Sequence, residues 1–221
     1  MAAMLLPALS KAREKARQAV CINNLKQIYL AEAIYAQDFE GYICSPHPLY
    51  CGPGNYCPPW SKIYPPSALV QLGYMGRAAR GLSLTGARGN VGRVFICPSD
   101  TGSVTNYKIY SPETGGTDPN YFGYLSYASY QFFYYHDPKK TGQPSSVNWD
   151  ISPRNKIDDP RQARKAIWWD MVPYKPYSGK YNHPDRSVNV LYMDGHVSHI
   201  PYEKLIRSGS WAAIIQSIDG K

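Results

Sequence analysis

Pro7-Ala-Leu-Ser-Lys-Ala-Arg-Glu-Lys-Ala-Arg-Gln-Ala-Val-Cys-Ile-Asn-Asn-Leu-Lys-Gln-Ile-Tyr-Leu-Ala-Glu-Ala-Ile-Tyr35 holds no glycine, and no proline after its first residue. Almost every position favours helix, so the stretch predicts one helix from Pro7 to about Tyr35. Its two halves differ. Cys21, Leu25, Ile28, Ala31 and Tyr35 recur at spacings of four, three, three and four, which places them on one face. In the first half the apolar residues are mostly small, and Lys11, Arg13, Lys15 and Arg17 fall on several sides of the cylinder. Such a helix docks its second half on a domain and leaves its first half protruding. Asp38-Phe-Glu-Gly41 ends it, with Gly41 as the stop.

The second deciding stretch is Ser187-Val-Asn-Val-Leu-Tyr-Met-Asp-Gly-His-Val-Ser-His-Ile200, in which Asp194-Gly195 joins two alternating runs as a hairpin. A two-residue turn predicts the pairs Met193–His196, Tyr192–Val197, Leu191–Ser198 and Val190–His199. Between helix and hairpin, Arg93–Cys97, Tyr121–Tyr135 and Ala166–Asp170 read as strands, and Ser67–Gly73 as a short helix. Glu203–Ile218 reads as a helix broken near Gly209. Residues 41–66 carry seven prolines and three glycines, which no regular helix or central strand tolerates. The expected fold is α+β: a long N-terminal helix (1–40) packed on an antiparallel sheet head with long irregular loops (41–221).

Composition narrows the class. The chain has 221 residues with 20 Tyr, 19 Pro and 18 Gly, enough for one good-sized core, and its aromatic content excludes a disordered chain. No run approaches the roughly 18 apolar residues that span a bilayer; the longest is Met1–Leu9. The net charge of +8 would fit nucleic acid if it sat on the head. Instead, residues 1–30 hold five basic side chains against the single acid Glu14, so half of the excess belongs to the helix. Five cysteines point to an oxidising compartment.

Several constellations invite chemistry. His183, Asp194, His196 and His199 resemble a metal cluster, but His196 and His199 are an odd number of residues apart on one strand and face opposite ways. His183, Asp194 and His196 are thus weak metal candidates, for zinc or calcium, and no cofactor is expected. Cys44, Cys51 and Cys57 lack the short chelate spacings of structural zinc, and a disulfide between two of the three fits better. Cys21 and Cys97 are a second candidate disulfide, which would staple helix to sheet. Gly86–Gly92 has no Gly-Lys-Ser/Thr ending, and the chain holds no Gly-x-Ser-x-Gly elbow and no His-Glu-x-x-His helix. No catalytic set is present, and an enzyme is not expected.

Met4–Arg17 followed by Cys21-Ile-Asn-Asn-Leu-Lys-Gln27 resembles the helix of type IV pilin-like proteins just after its membrane segment, specifically that of type II secretion pseudopilins. Phe95-Ile-Cys-Pro-Ser-Asp100 and Leu125-Ser-Tyr-Ala-Ser-Tyr130 are similar to internal segments of that family. His183, Asn189, Asp194, Gly195 and His196 are similar to its C-terminal signature, a His followed after nine residues by Asp-Gly. Here ten residues separate His183 from Asp194.

The resemblance implies a structural subunit of a pseudopilus or type IV pilus-like filament. It would be anchored in the inner membrane by an apolar segment preceding Met1, with its head in the periplasm or outside the cell. Its implied partners are other pilin-like subunits and a secretion or pilus assembly machinery. Leu5, Leu6, Leu9, Ala12, Ala16 and Ala19 would form the assembly face. The alternative is a secreted or envelope module that binds glycan or DNA through the Tyr-rich sheet; the modest charge of the head argues against nucleic acid.

Overall fold

The computed structural model describes residues 2–44, 69, 72–75, 94, 97–99, 130–132, 154–170, 182–205 and 217–219. Helix α1 spans Ala2–Asp38, 37 residues or about 55 Å at 1.5 Å per residue. It starts five residues before the expected Pro7. The preceding Ala, Met and Leu are strong helix formers, and a proline so close to the end removes a single ladder bond. At the other end the Gly41 amide donates to the Ala36 carbonyl at 2.8 Å, with Glu40 and Gly41 at φ of 52° and 82°. This left-handed turn closes the helix in the manner expected of a glycine stop. A side chain at Gly41 would also meet the Asp158 carboxylate at 2.6 Å.

Four strands form one antiparallel meander in the order β1 (Tyr130–Phe132), β2 (Ala166–Asp170), β3 (Ser187–Tyr192) and β4 (Val197–Pro201). The α+β architecture read from the sequence is therefore the observed one, and β2 has the bounds the sequence predicts.

The hairpin register differs from the two-residue reading. Leu191 faces Val197, Val190 faces Ser198 and Asn189 faces His199. The Gly195 amide donates to the Tyr192 carbonyl at 2.9 Å and the Tyr192 amide to the His196 carbonyl at 3.0 Å. Met193, Asp194 and Gly195 thus make a three-residue loop with Gly195 at φ 84°, the type I turn plus bulge that Asp-Gly also supports. Gly195 is required twice, since a Cβ there would lie 2.5 Å from the Tyr29 ring of α1.

Other expectations fare unevenly. Val94 sits in a 3-10 turn and Cys97 lies outside the sheet ladder, so the described residues of Arg93–Cys97 do not form the expected strand. Cys97 is instead drawn under α1. Tyr202–Lys204 is a short 3-10 turn rather than the start of a helix, while Ser217 and Ile218 are helical. Leu69 is helical, and the Tyr74 amide closes on its carbonyl at 2.9 Å with Gly73 left-handed between them. Residues 121–129 and 133–135 of the Tyr-rich stretch lie outside the described residues.

The core lies between α1 and the sheet. Cys21, Leu25 and Ile28 pack with Ile43, Cys97, Tyr130, Ile167, Trp168, Leu191 and Met193. A second cluster joins Ala31 of the helix to Cys44 and Leu69. Beside them, the fully buried Glu32 carboxylate accepts from the Cys44 amide at 2.8 Å and from Trp168 Nε1 at 3.3 Å. Burial outweighs these two donors and pushes the carboxyl up to about 8.

All five residues of β2 and all six of β3 are buried, so the two central strands are covered on both faces, while β4 keeps exposed positions. At the edge of β2 the buried Arg154 guanidinium grips Asp219 through two bonds of 3.1 and 2.8 Å and donates to the Ala166 carbonyl at 2.8 Å. Tyr192 Oη donates to the Ile218 carbonyl at 2.9 Å and holds the same C-terminal segment.

Candidate functional site

Four chain segments deliver polar side chains to one buried place at the middle of α1. The helix supplies Glu14, Gln18 and Cys21 on its inward side, each about one turn from the next. The turn at 97–99 supplies Cys97 and Ser99. The end of β2 supplies Asp170, and the segment entering β3 supplies Asn182 and His183. Cys21, Cys97, Asp170 and His183 are all fully buried, and one donor atom from each lies within 4.8 Å of the others.

His183 is the centre of the arrangement. Its Nδ1 is 2.9 Å from Glu14 Oε1, and its Nε2 is 3.2 Å from Asp170 Oδ2, 3.6 Å from Cys97 Sγ and 3.1 Å from Asn189 Nδ2. Each carboxylate is itself held. Ser99 Oγ donates to Glu14 Oε1 at 2.7 Å, and Arg17 pairs with the other Glu14 oxygen at 3.5 Å. The Asn189 amide donates to Asp170 Oδ2 at 2.7 Å, and Asn182 Nδ2 to Asp170 Oδ1 at 3.5 Å.

Electrostatics follow from this packing. Burial opposes charge on His183, but the adjoining Asp170 carboxylate and Cys97 sulfur outweigh it and the imidazole is pushed up to about 11. Cys97 is held far above an ordinary thiol by its bond to Cys21 and by burial, with His183 acting in the opposite direction. In the absence of another cation the site holds an imidazolium between two carboxylates, beside two thiols.

The sequence candidates are distributed as follows. Cys21 and Cys97 come together as free thiols. Cys44 is buried against Ala31 and Leu69, and Cys51 and Cys57 lie outside the described residues. Of the residues that resemble the prepilin-type signature, His183 and Asn189 belong to the buried site, while Asp194, Gly195 and His196 lie at the hairpin turn.

His196 stacks on Tyr192 at 4.2 Å and its Nδ1 meets Asp194, so neither of these two weak metal candidates joins His183. His199 faces Asn189, bonding through Nδ1 at 2.8 Å to Asn189 Oδ1. Asp170 and Glu14 are site residues that sequence reasoning missed, and Glu14 did carry a signal as the single acid among residues 1–30.

The exposed side of α1 forms a second feature. Leu6 is 68% and Leu9 48% exposed, Ala12, Ala16 and Ala19 are exposed, and Leu5 lies outside the described side chains. Val20, Leu30 and Ile34 are exposed as well. Positions 6, 9, 13, 16, 20, 23, 27, 30 and 34 alternate spacings of three and four. They lie along one face, apolar at six of the nine. The stripe therefore runs the length of the helix, beyond the first half where the sequence placed it. No helix among the described residues is long and apolar enough to cross a membrane.

No curated protein and no solved structure matches the chain. Residues 10–158, more than half of it, match the family described as "Protein of unknown function (DUF1559)". That span contains most of α1 together with Glu14, Cys21 and Cys97 of the buried site, and the chain belongs to this family.

Proposed function

We propose that the chain is a non-enzymatic, pilin-like subunit of a type II secretion pseudopilus or a type IV pilus-like filament, assembled through α1. Membership of the DUF1559 family is consistent with a pilin-like protein. The observation that carries the reading is the outward stripe of Leu6, Leu9, Val20, Leu30 and Ile34 on a helix whose opposite face is already satisfied by the head. A helix apolar on two sides needs two partners, and only one is among the described residues. Ala12, Ala16 and Ala19 would let neighbouring helices approach closely. The basic residues of the first turns would meet anionic headgroups or partner carboxylates at an inner-membrane surface. The C-terminal hairpin, whose His183 and Asp194-Gly195 resemble the signature of prepilin-type proteins with one residue more between them, would lock the head onto the helix.

In cells producing the native chain, a photo-reactive residue introduced at Leu9 or Ile34 should yield covalent adducts to further copies or to another helix-bearing subunit. The same group at Lys11 should yield fewer. Adducts confined to a probe in the Tyr-rich stretch, with none from the stripe, would overturn the filament reading in favour of a binding module.

A further inference from the structure

We propose that Cys21, Cys97, Asp170 and His183 form a tetrahedral site for a thiophilic divalent cation, zinc by its ligand chemistry. Four donor atoms, two sulfurs, one imidazole nitrogen and one carboxylate oxygen, converge from four separate segments within 4.8 Å of one another, and all four residues are fully buried. A set of soft sulfur with imidazole and carboxylate, closed to solvent, is the donor class that structural zinc prefers over calcium or magnesium.

The surroundings match what such a ligand set requires. His183 would ligate through Nε2, and its Nδ1 faces Glu14 Oε1 at 2.9 Å, the carboxylate–histidine pairing that fixes the tautomer and orientation of a metal-bound imidazole. Ser99 at 2.7 Å and Arg17 at 3.5 Å hold Glu14 in turn. Asn189 Nδ2 lies 3.1 Å from Nε2, a contact that a cation bound at that nitrogen would replace. Asp170 accepts from the Asn189 amide at 2.7 Å and from Asn182 at 3.5 Å, which directs its carboxylate inward.

A cation entering the site takes two thiolates, a carboxylate and a neutral imidazole. The two thiol protons and any proton on Nε2 leave to solvent, and no oxidant or reductant is involved. A disulfide between Cys21 and Cys97 is the competing use of the same sulfurs and excludes the metal. The site does not depend on the filament reading, since it staples α1 to the head whatever the helix then assembles with.

The full chain, purified without chelator, should carry about one equivalent of zinc by elemental analysis, as a closed four-ligand site requires. Exchange for cobalt(II) should give the sulfur-to-metal charge-transfer band and intense visible bands of tetrahedral thiolate coordination. Cys97→Ser should lose the charge-transfer intensity. Because that variant puts a hydroxyl in place of a fully buried sulfur, Glu14→Gln provides the second test: it leaves every ligand in place and should weaken zinc binding about 10–100-fold, read by competition with a chromophoric chelator. A protein that binds neither zinc nor cobalt(II) overturns the proposal, and peptide mapping that finds Cys21 joined to Cys97 identifies the disulfide as the use of those sulfurs. Cobalt(II) binding whose spectrum is unchanged in Cys97→Ser overturns it as well.

Discussion

The two halves of α1 have similar helix propensity and opposite fates. From Cys21 onward the inward face carries Leu25, Ile28 and Glu32, all fully buried against the sheet. Before Gln18 the head is reached by Glu14 and, 3.9 Å from Asp185, by the mostly exposed Lys15, while Leu6 and Leu9 stand in solvent. Propensity alone gives a helix in both places; large side chains at the right period decide which half becomes core. The junction between them is polar: Glu14 binds His183 and Ser99, and Gln18 Nε2 donates to Asp185 at 2.5 Å.

The sharpest way to break this contrast is to truncate the buried half. Leu25→Ala or Ile28→Ala should destabilise the head by about 2–5 kcal/mol, the range for large apolar side chains deleted from a packed core. Chemical denaturation of purified protein reads the shift. A loss below about 1 kcal/mol at both positions would mean that α1 is not part of the head's core.

Glu32 sharpens the comparison through pH. Its carboxyl titrates at about 8 when folded and near the usual 4.5 when unfolded. Between those values the unfolded chain has lost the proton and the folded chain keeps it, so folded stability must fall as pH rises from about 4.5 to about 8 and level off above. The full effect is on the order of a few kcal/mol, and urea midpoints measured from pH 5 to pH 9 follow it. Glu32→Gln should flatten the slope, at the cost of setting an amide NH2 against one of two buried donors. A wild-type midpoint that rises with pH across this window would refute the assignment.

The smallest effect is expected at the protruding end. Leu9→Ala should change the stability of the isolated chain by no more than about 0.5 kcal/mol, because its side chain already meets solvent. Any larger loss would place a hidden partner on the first half of the helix.

The helix face, the strand Ala166–Asp170 and the existence of the hairpin were legible because each rests on short-range period or turn chemistry. The register was off by one residue because Asp-Gly serves both a two-residue turn and a three-residue loop with a left-handed glycine. In the three-residue loop Gly195 lies under the ring of Tyr29, a contact from an element far away in sequence that no local pattern announces. The buried site was half legible. Cys21 and Cys97 could be paired by inspection, and His183 singled out by its place before the hairpin. Asp170 looked like the end of a strand and Glu14 like one charge on a basic helix. Periodicity says which residues share a face, but not where around the core that face will be turned.

Glu14 and His183 are 169 residues apart in the chain, and Gln18 and Asp185 are 167 apart. At a synthesis rate of about 5–20 residues per second, roughly ten to thirty seconds pass between the emergence of α1 from the ribosome and the arrival of the strands that cover it. For most of that interval Cys21, Leu25 and Ile28 have Ile43 beside them but lack Trp168, Leu191 and Met193 of their core. The helix is therefore complete well before the last strands that cover it exist, and its inward face is finished only when β3 arrives.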